Sequence, residues 1–221
     1  DEANKKKMNP KMLASFVDGS KTMIEMTALS NGINLPLDKV GMNGPISEVK
    51  DLHKTLIPEK DGGVLSDTGR VDFAFGPAPG VFSIVKSDSP TVIEEMEYLS
   101  MGEGPYYTLY RPYHLASVEA PRSVGMAIIN NEPGLQPKTW ISEVVGHAKK
   151  DLEPGETIDG IGGFSSYGVA YPVSDSKGLA PLGLLEGGTV SKLIKAGDPI
   201  SLESVELPEN LINELRKKQK S

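Results

Sequence analysis

The chain has 221 residues, 30 acidic and 23 basic side chains, a formal charge of −7 and no cysteine. That length can bury a core in one large domain or two modest ones; the lack of Cys excludes disulfides, thiolate nucleophiles and Cys-based metal sites, and the acidic balance argues against general affinity for nucleic acid or anionic membrane. No apolar run approaches the ~20 residues of a membrane span and no signal peptide opens the chain, so the expectation is a cytoplasmic protein with neither nucleic acid nor membrane as partner.

In chain order, Asp18-Gly19-Ser20 offers a turn and caps, and Met23, Met26, Thr27 and Leu29 then recur at helical spacing until Gly32 can end the run. Ile46, Val49, Leu52 and Leu56 give a second helical stripe between Gly44-Pro45 and Pro58. Val71 to Phe75 alternates, Gly76-Pro77-Ala78-Pro79-Gly80 turns, and Val81 to Val85 reads as the partner strand, which predicts a hairpin. Ser89-Pro90 opens a helix with Val92, Ile93, Met96 and Leu99 on one stripe, ending at Gly102; a strand should cover Tyr106 to Arg111, and Pro121 should open a helix towards Asn130.

Beyond Asn130-Asn131-Glu132-Pro133-Gly134 the texture changes to short strands separated by glycine turns, which places a domain boundary there. Within this second part Leu152-Glu153-Pro154-Gly155-Glu156-Thr157-Ile158 matches Ile194-Lys195-Ala196-Gly197-Asp198-Pro199-Ile200, 42 residues on. The spacing predicts two equivalent turns, each with Gly where φ can be positive, joining strands whose Leu and Ile face one shared core: a small folded-over β unit with pseudo-symmetry. From Pro208 onward Leu211, Ile212 and Leu215 share a face and Arg216, Lys217 and Lys218 complement a helix dipole, as in a docked C-terminal helix.

Several chemistries lack their motif. No G-x-G-x-x-G is complete, since Gly160 and Gly162 meet Ser165 and Gly102 and Gly104 meet Tyr107 at the sixth position; Asp18 to Thr22 lacks the first glycine of a phosphate loop. No G-x-S-x-G elbow occurs, and His53, His114 and His147 have no metal-ligand spacing, so no metal site is expected. His53 is read as a boundary residue without a role, His147 as a packed strand residue, and Gly160-Ile161-Gly162-Gly163 as a tight turn.

Two constellations remain. Tyr106 to His114 holds four of the seven tyrosines with Arg111 and His114, a set that suits an anionic substrate: a planar fork, phenolic hydrogen bonds and a group that titrates near neutrality. A strand whose tyrosines pack on the sheet while Arg111 and His114 bond structurally is the competing explanation. Lys21 and Glu25 lie four apart on the first helix, with Thr22 and Asn31 as further polar groups; an exposed ion pair is the ordinary reading, but a lysine at a helix mouth could polarise a carbonyl or stabilise an alkoxide.

Phe16 to Met26, Pro79-Gly80-Val81-Phe82 and Gly102 to Leu115 resemble homoserine-dehydrogenase-like oxidoreductases, more narrowly the group that includes 1-deoxy-D-xylulose 5-phosphate reductoisomerase-like proteins. Ala148 to Glu156 and Asp159 to Gly163 are similar to the SAF (β-clip) domain that closes those proteins. The resemblance implies an α+β fold, with a substrate-binding and dimerisation domain over 1–134 followed by a β-clip domain with a C-terminal helix over 135–221. It implies an NAD- or NADP-dependent oxidoreductase acting on a small hydroxy or keto compound, phosphorylated or not. Lys21 would polarise the reacting oxygen and Glu25 orient Lys21, while Thr22, Asn31, Arg111, Tyr113 and His114 would bind an anionic substrate. The order Lys21 then Glu25 differs from that in homoserine dehydrogenases proper, which points away from homoserine itself. Because the chain opens at Asp1 without a nucleotide fingerprint, a preceding Rossmann domain is expected to carry the cofactor, with none bound by this chain alone. A homodimer is expected through the part before Asn130, whose apolar residues exceed what one small layer can cover. The alternative is a non-catalytic module whose SAF part grips a sugar or an acid.

Overall fold

The computed structural model describes residues 2–5, 7–77, 79–112 and 115–219. Their helices are α1 (Glu2–Lys5), α2 (Pro10–Val17), α3 (Ser20–Ile33), α4 (Leu52–Thr55), α5 (Pro90–Tyr98), α6 (Ala116–Ile129) and α7 (Leu211–Lys218). Their strands are β1 (Val81–Lys86), β2 (Tyr106–Arg111), β3 (Ser142–Ala148), β4 (Ser166–Pro172), β5 (Thr189–Val190) and β6 (Val205–Glu206), paired antiparallel as β1-β2, β3-β4 and β5-β6. This is a mixed α+β chain. No helix among the described residues is long and apolar enough to cross a membrane. The chain forms two compact units, one from residues 1–42 with 137–221 and one from 43–136. That grouping differs from a linear division near residue 134, because the first 42 residues fold with the C-terminal part.

In the first unit α3 lies on the β3-β4 sheet with a narrow face of small hydroxyl residues. Ser20, Thr27 and Ser30 are buried; of the expected stripe Thr27 and Met23 face the core, whereas Leu29 faces outward. Each serine is satisfied across the contact: Ser20 Oγ accepts from Gly168 N at 2.8 Å, and Ser142 Oγ donates to Ser30 Oγ at 2.9 Å. Close approach, rather than bulk, decides this face. The helix runs past Gly32 and stops at Asn34, which takes the left-handed conformation at φ 58°.

The 42-residue repeat is a pseudo-two-fold axis in hydrogen bonds. Leu152 and Ile194 exchange both backbone bonds, at 2.9 and 3.0 Å. Ala148 N to Asp198 O is mirrored by Val190 N to Glu156 O, Gly197 N to Ala148 O by Gly155 N to Val190 O, and Ile200 N to Gly146 O by Ile158 N to Gly188 O, all between 2.8 and 3.0 Å. Gly155 and Gly197 sit at φ 92° and 88°, a turn conformation that a side chain would strain. Leu152, Ile158, Ile194 and Ile200 meet in one core with Val144, Leu182, Leu185 and Val190. His147 is a packed β3 residue as expected: Nδ1 lies 2.9 Å from Gly197 O, which can only accept, so Nε2 takes the Tyr171 hydroxyl at 2.9 Å. The C-terminal helix is present but docks by different residues. Leu211, Ile212 and Leu215 are exposed, while Asn213 is buried and Arg216 lies 4.3 Å over the Trp140 ring and 2.5 Å from Glu143.

In the second unit the expected hairpin is replaced by β1-β2, with Val81 opposite Arg111 and Lys86 opposite Tyr106. Residues 71–75 cannot supply the partner strand because their bonds are already taken. Asp72 accepts from Asn43 N, Gly44 N and Phe73 N, and Phe75 exchanges backbone bonds with Pro45 and Ser47. Ala78 of the expected turn lies outside the described residues. The second helical stripe shortens to one 3-10 turn and α4, since Ser47 is held by Phe75; Ile46 is left exposed and Leu52, Leu56 and Leu65 form a small core under Phe82 and Ile84. Helix α6 begins five residues before Pro121, which it contains in its interior.

Candidate active-site helix

The site begins at the corner between α2 and α3. Asp18 caps the turn by accepting from Ser20 N at 2.8 Å, and Gly19 makes the corner at φ 82°. Lys149, at the end of β3, comes from 131 residues further on in the same unit: its Nζ lies 2.6 Å from Asp18 Oδ2 and donates to Gly163 O at 2.7 Å. Burial opposes ionisation of Asp18, but hydrogen bonds from Lys149 and Ser20 outweigh it and hold the carboxyl below the usual carboxylate range.

From this fixed corner α3 carries Lys21 on its first turn. The ammonium is 3.2 Å from Glu25 Oε1 and 4.3 Å above the Phe16 ring, with side chains 36% and 55% exposed for Lys21 and Glu25. The predicted pair is therefore formed, and Lys21 keeps solvent access for a substrate oxygen. Thr22 stands half-buried beside it. Asn31 is not part of this group, being ten residues and so about 15 Å along the helix. Its side chain is occupied as a tie to the start of β3: Nδ2 donates to Ser142 O at 3.0 Å, and Oδ1 accepts from Ile141 N at 2.9 Å and Ser142 N at 3.1 Å.

Arg111 belongs to the other unit, at the end of β2. It is 59% exposed, its guanidinium is paired with Glu119 of α6, and with Pro112, Leu115, Val118 and Arg122 these two residues line a cavity of about 500 Å³. Five guanidinium N–H groups leave donors over for a ligand anion, which would share the fork with Glu119. Tyr113 and His114 lie outside the described residues.

The glycine-rich loop 160–163 is filled by the protein itself. A Cβ on Gly162 would fall 1.9 Å from Lys11 O and one on Gly163 2.3 Å from the Asp159 carboxylate, which already accepts from Phe164 N and Ser165 N. It is the tight turn expected. A nucleotide pyrophosphate does not fit there.

A family model described as the catalytic domain of oxidoreductase DRL matches residues 1–120, more than half of the chain. The chain belongs to this oxidoreductase family. No curated protein matches it. The DRL match takes in the α2–α3 corner with Lys21 and Glu25, all of β1-β2 with Arg111, and the first turn of α6, while the pseudo-symmetric β unit lies beyond it. Sequence reasoning did not single out Lys149 for the DRL site. The only local signal was a pair of lysines after an apolar strand; what makes it relevant is a contact with Asp18 that no spacing rule can reveal.

Proposed function

We propose that this chain is the substrate-binding and C-terminal part of an NAD- or NADP-dependent oxidoreductase acting on a small hydroxy or keto compound, phosphorylated or not. The observation that carries the reading is the DRL catalytic-domain match across a helix mouth where Lys21, partly exposed and backed by Glu25, can meet a substrate oxygen. Lys21 donates a hydrogen bond to that oxygen as negative charge builds on it, and Glu25 fixes the direction of the ammonium. Arg111 is the anion-binding candidate of the second unit, with Tyr113 and His114 beside it in sequence, and in the first unit Thr22 offers a hydroxyl near Lys21. A nicotinamide nucleotide would supply the hydride chemistry from a separate Rossmann domain, none of the residues described being assigned to hold it.

The reading includes a homodimer through the part of the chain before Asn130. Val118, Ile128 and Ile129 of α6 stand out to solvent, the last two 78% and 82% exposed, and a helix with such residues needs a cover. The β-clip part over 135–221, with its C-terminal helix, is read as the SAF domain of the family resemblance, a reading that its pseudo-two-fold axis supports. That this unit has its own core and lies beyond the family match favours, as a second reading, a non-catalytic SAF module for a sugar or an acid.

The test is NADH and NADPH oxidation by the natural protein against a panel of small ketols and keto acids, with and without phosphate. Turnover that falls by at least about a hundredfold in Lys21→Met at unchanged folding supports the oxidoreductase site. Absence of turnover, together with sugar or acid binding by the full chain at residues within 137–221, supports the module instead.

A further inference from the structure

The second unit holds a cavity of about 800 Å³ that contains none of the residues assigned to the reaction, walled by His53, Lys54 and Ile57 around α4, by Asp61, and by Gly102 to Tyr106. Its size is within the range of small-molecule sites. Its polar groups are of two kinds. Lys54 has only a loose neighbour, Asp51 at 3.6 Å, and the half-buried His53 imidazole makes no hydrogen bond among the described residues. Asp61 is held in place by the Tyr106 hydroxyl, which donates to Oδ2 at 2.6 Å and leaves Oδ1 for another donor; Glu103 is exposed beside it. Burial and the neighbouring Asp61 push the Tyr106 phenol up to about 12, so it remains a donor at any physiological pH. Behind the loop, the hydroxyl of Tyr107 is fully buried without a partner among the described residues and lies where a side chain at Gly104 would begin. Unsatisfied buried hydroxyls are rare in folded proteins and ask for an explanation at the site where they occur.

The charge count decides the ligand class. Two carboxylates face one ammonium and one imidazole, so a plain anion would meet a net negative wall. A plain amine would leave Lys54 and His53 unanswered. We propose that this cavity binds a zwitterionic amino compound of the α-amino-acid class, its ammonium taken by Asp61 and Glu103 and its carboxylate by Lys54 and His53. Ile57 and Pro105 supply an apolar wall for the side chain. The assignment is independent of the oxidoreductase reading, since it concerns a separate set of side chains.

The test uses the full 221-residue chain and three probes that share one ring: L-phenylalanine, 3-phenylpropionate without the amine, and phenethylamine without the carboxylate. Amide NMR titration should show L-phenylalanine shifting Gly62, Gly102 and Glu103, with each one-charge analogue weaker by about fivefold or more. Lys54→Met should weaken L-phenylalanine and leave phenethylamine unchanged, and Glu103→Gln should weaken L-phenylalanine and leave 3-phenylpropionate unchanged. Both side chains are exposed, so neither variant endangers folding; their thermal midpoints verify this. Equal binding of all three probes would mean an apolar crevice only. That result, shifts confined to other residues, or no shifts at ligand concentrations of about 10 mM, would overturn the proposal.

Discussion

The β unit of residues 137–221 and the unit of residues 43–136 solve the same problem, burying a short irregular chain, in opposite ways. The first closes on itself: its two half-repeats exchange backbone bonds in matched pairs, and eleven aliphatic or alanine side chains form one core. The second clusters Leu52, Leu56 and Leu65 beneath a two-stranded sheet, with Ile57, Val71, Tyr106 and Tyr107 also buried among the described residues and most of α6 exposed. A two-stranded ribbon is marginal alone. The contrast teaches where each unit draws its stability: one from internal reciprocity, the other from a smaller core that leaves apolar faces exposed.

The largest effect should come from breaking the reciprocity. Leu152→Ala, at the start of the first half-repeat, or Ile200→Ala, at the end of the second, removes a fully buried side chain and should cost about 2–5 kcal/mol by denaturant unfolding. A double variant with Ile194→Ala should be non-additive with Leu152→Ala, because these two residues share one bridge.

Next is the corner that steadies α3. Lys149→Met leaves Asp18 buried without its cation and should cost roughly 1–3 kcal/mol. The sign with pH follows from the lowered Asp18 pKa: its contribution is complete above the unfolded value of about 3.9 and disappears as pH falls through the folded value. Thermal midpoints of the native chain should therefore drop more steeply below about pH 4 than those of Asp18→Asn. Parallel curves would remove Asp18 from the account.

The smallest changes in stability should fall on the exposed groups, and there function separates from folding. Lys21→Met breaks a solvent-facing pair of about 0.2–0.5 kcal/mol and should leave the midpoint nearly unchanged while abolishing turnover. Ile128→Asp should change chain stability by less than about 0.5 kcal/mol yet convert a dimer to monomer in sedimentation; a native chain already monomeric at tens of micromolar would refute the dimer.

The same contrast governs what could be read in advance. The 42-residue repeat was legible because local turn chemistry repeats at a fixed spacing, and Gly155 and Gly197 must both adopt a conformation that only glycine takes readily. The strand at Tyr106 and the helices at Ser20 and Pro90 were legible from period and caps. The partner of β1 was not, since alternation says that a strand exists and nothing about which strand it meets; Phe75 was taken by Pro45 and Ser47 through contacts no local pattern records. On α3 the inward face is marked by small hydroxyls instead of aliphatics, so the apolar stripe misled. At the candidate site the Lys21 and Glu25 pair was visible as an i,i+4 spacing, whereas the distance to Asn31 and the arrival of Lys149 are products of the folded chain.

The pseudo-two-fold axis has an implication for ancestry and concentration. Every bond across it runs from one half-repeat to the other, so a single half would present its donors and acceptors outward and could satisfy them only on another copy of itself. Such a half is an obligate symmetric pair in principle, with assembly that depends on dilution. Joining the two copies in one polypeptide makes the encounter intramolecular, at an effective concentration no cell could supply with free halves. The halves are not identical in what they hold: Lys149 near one end pairs with Asp18, whereas its counterpart 42 residues on, Ser191, bonds to Glu203.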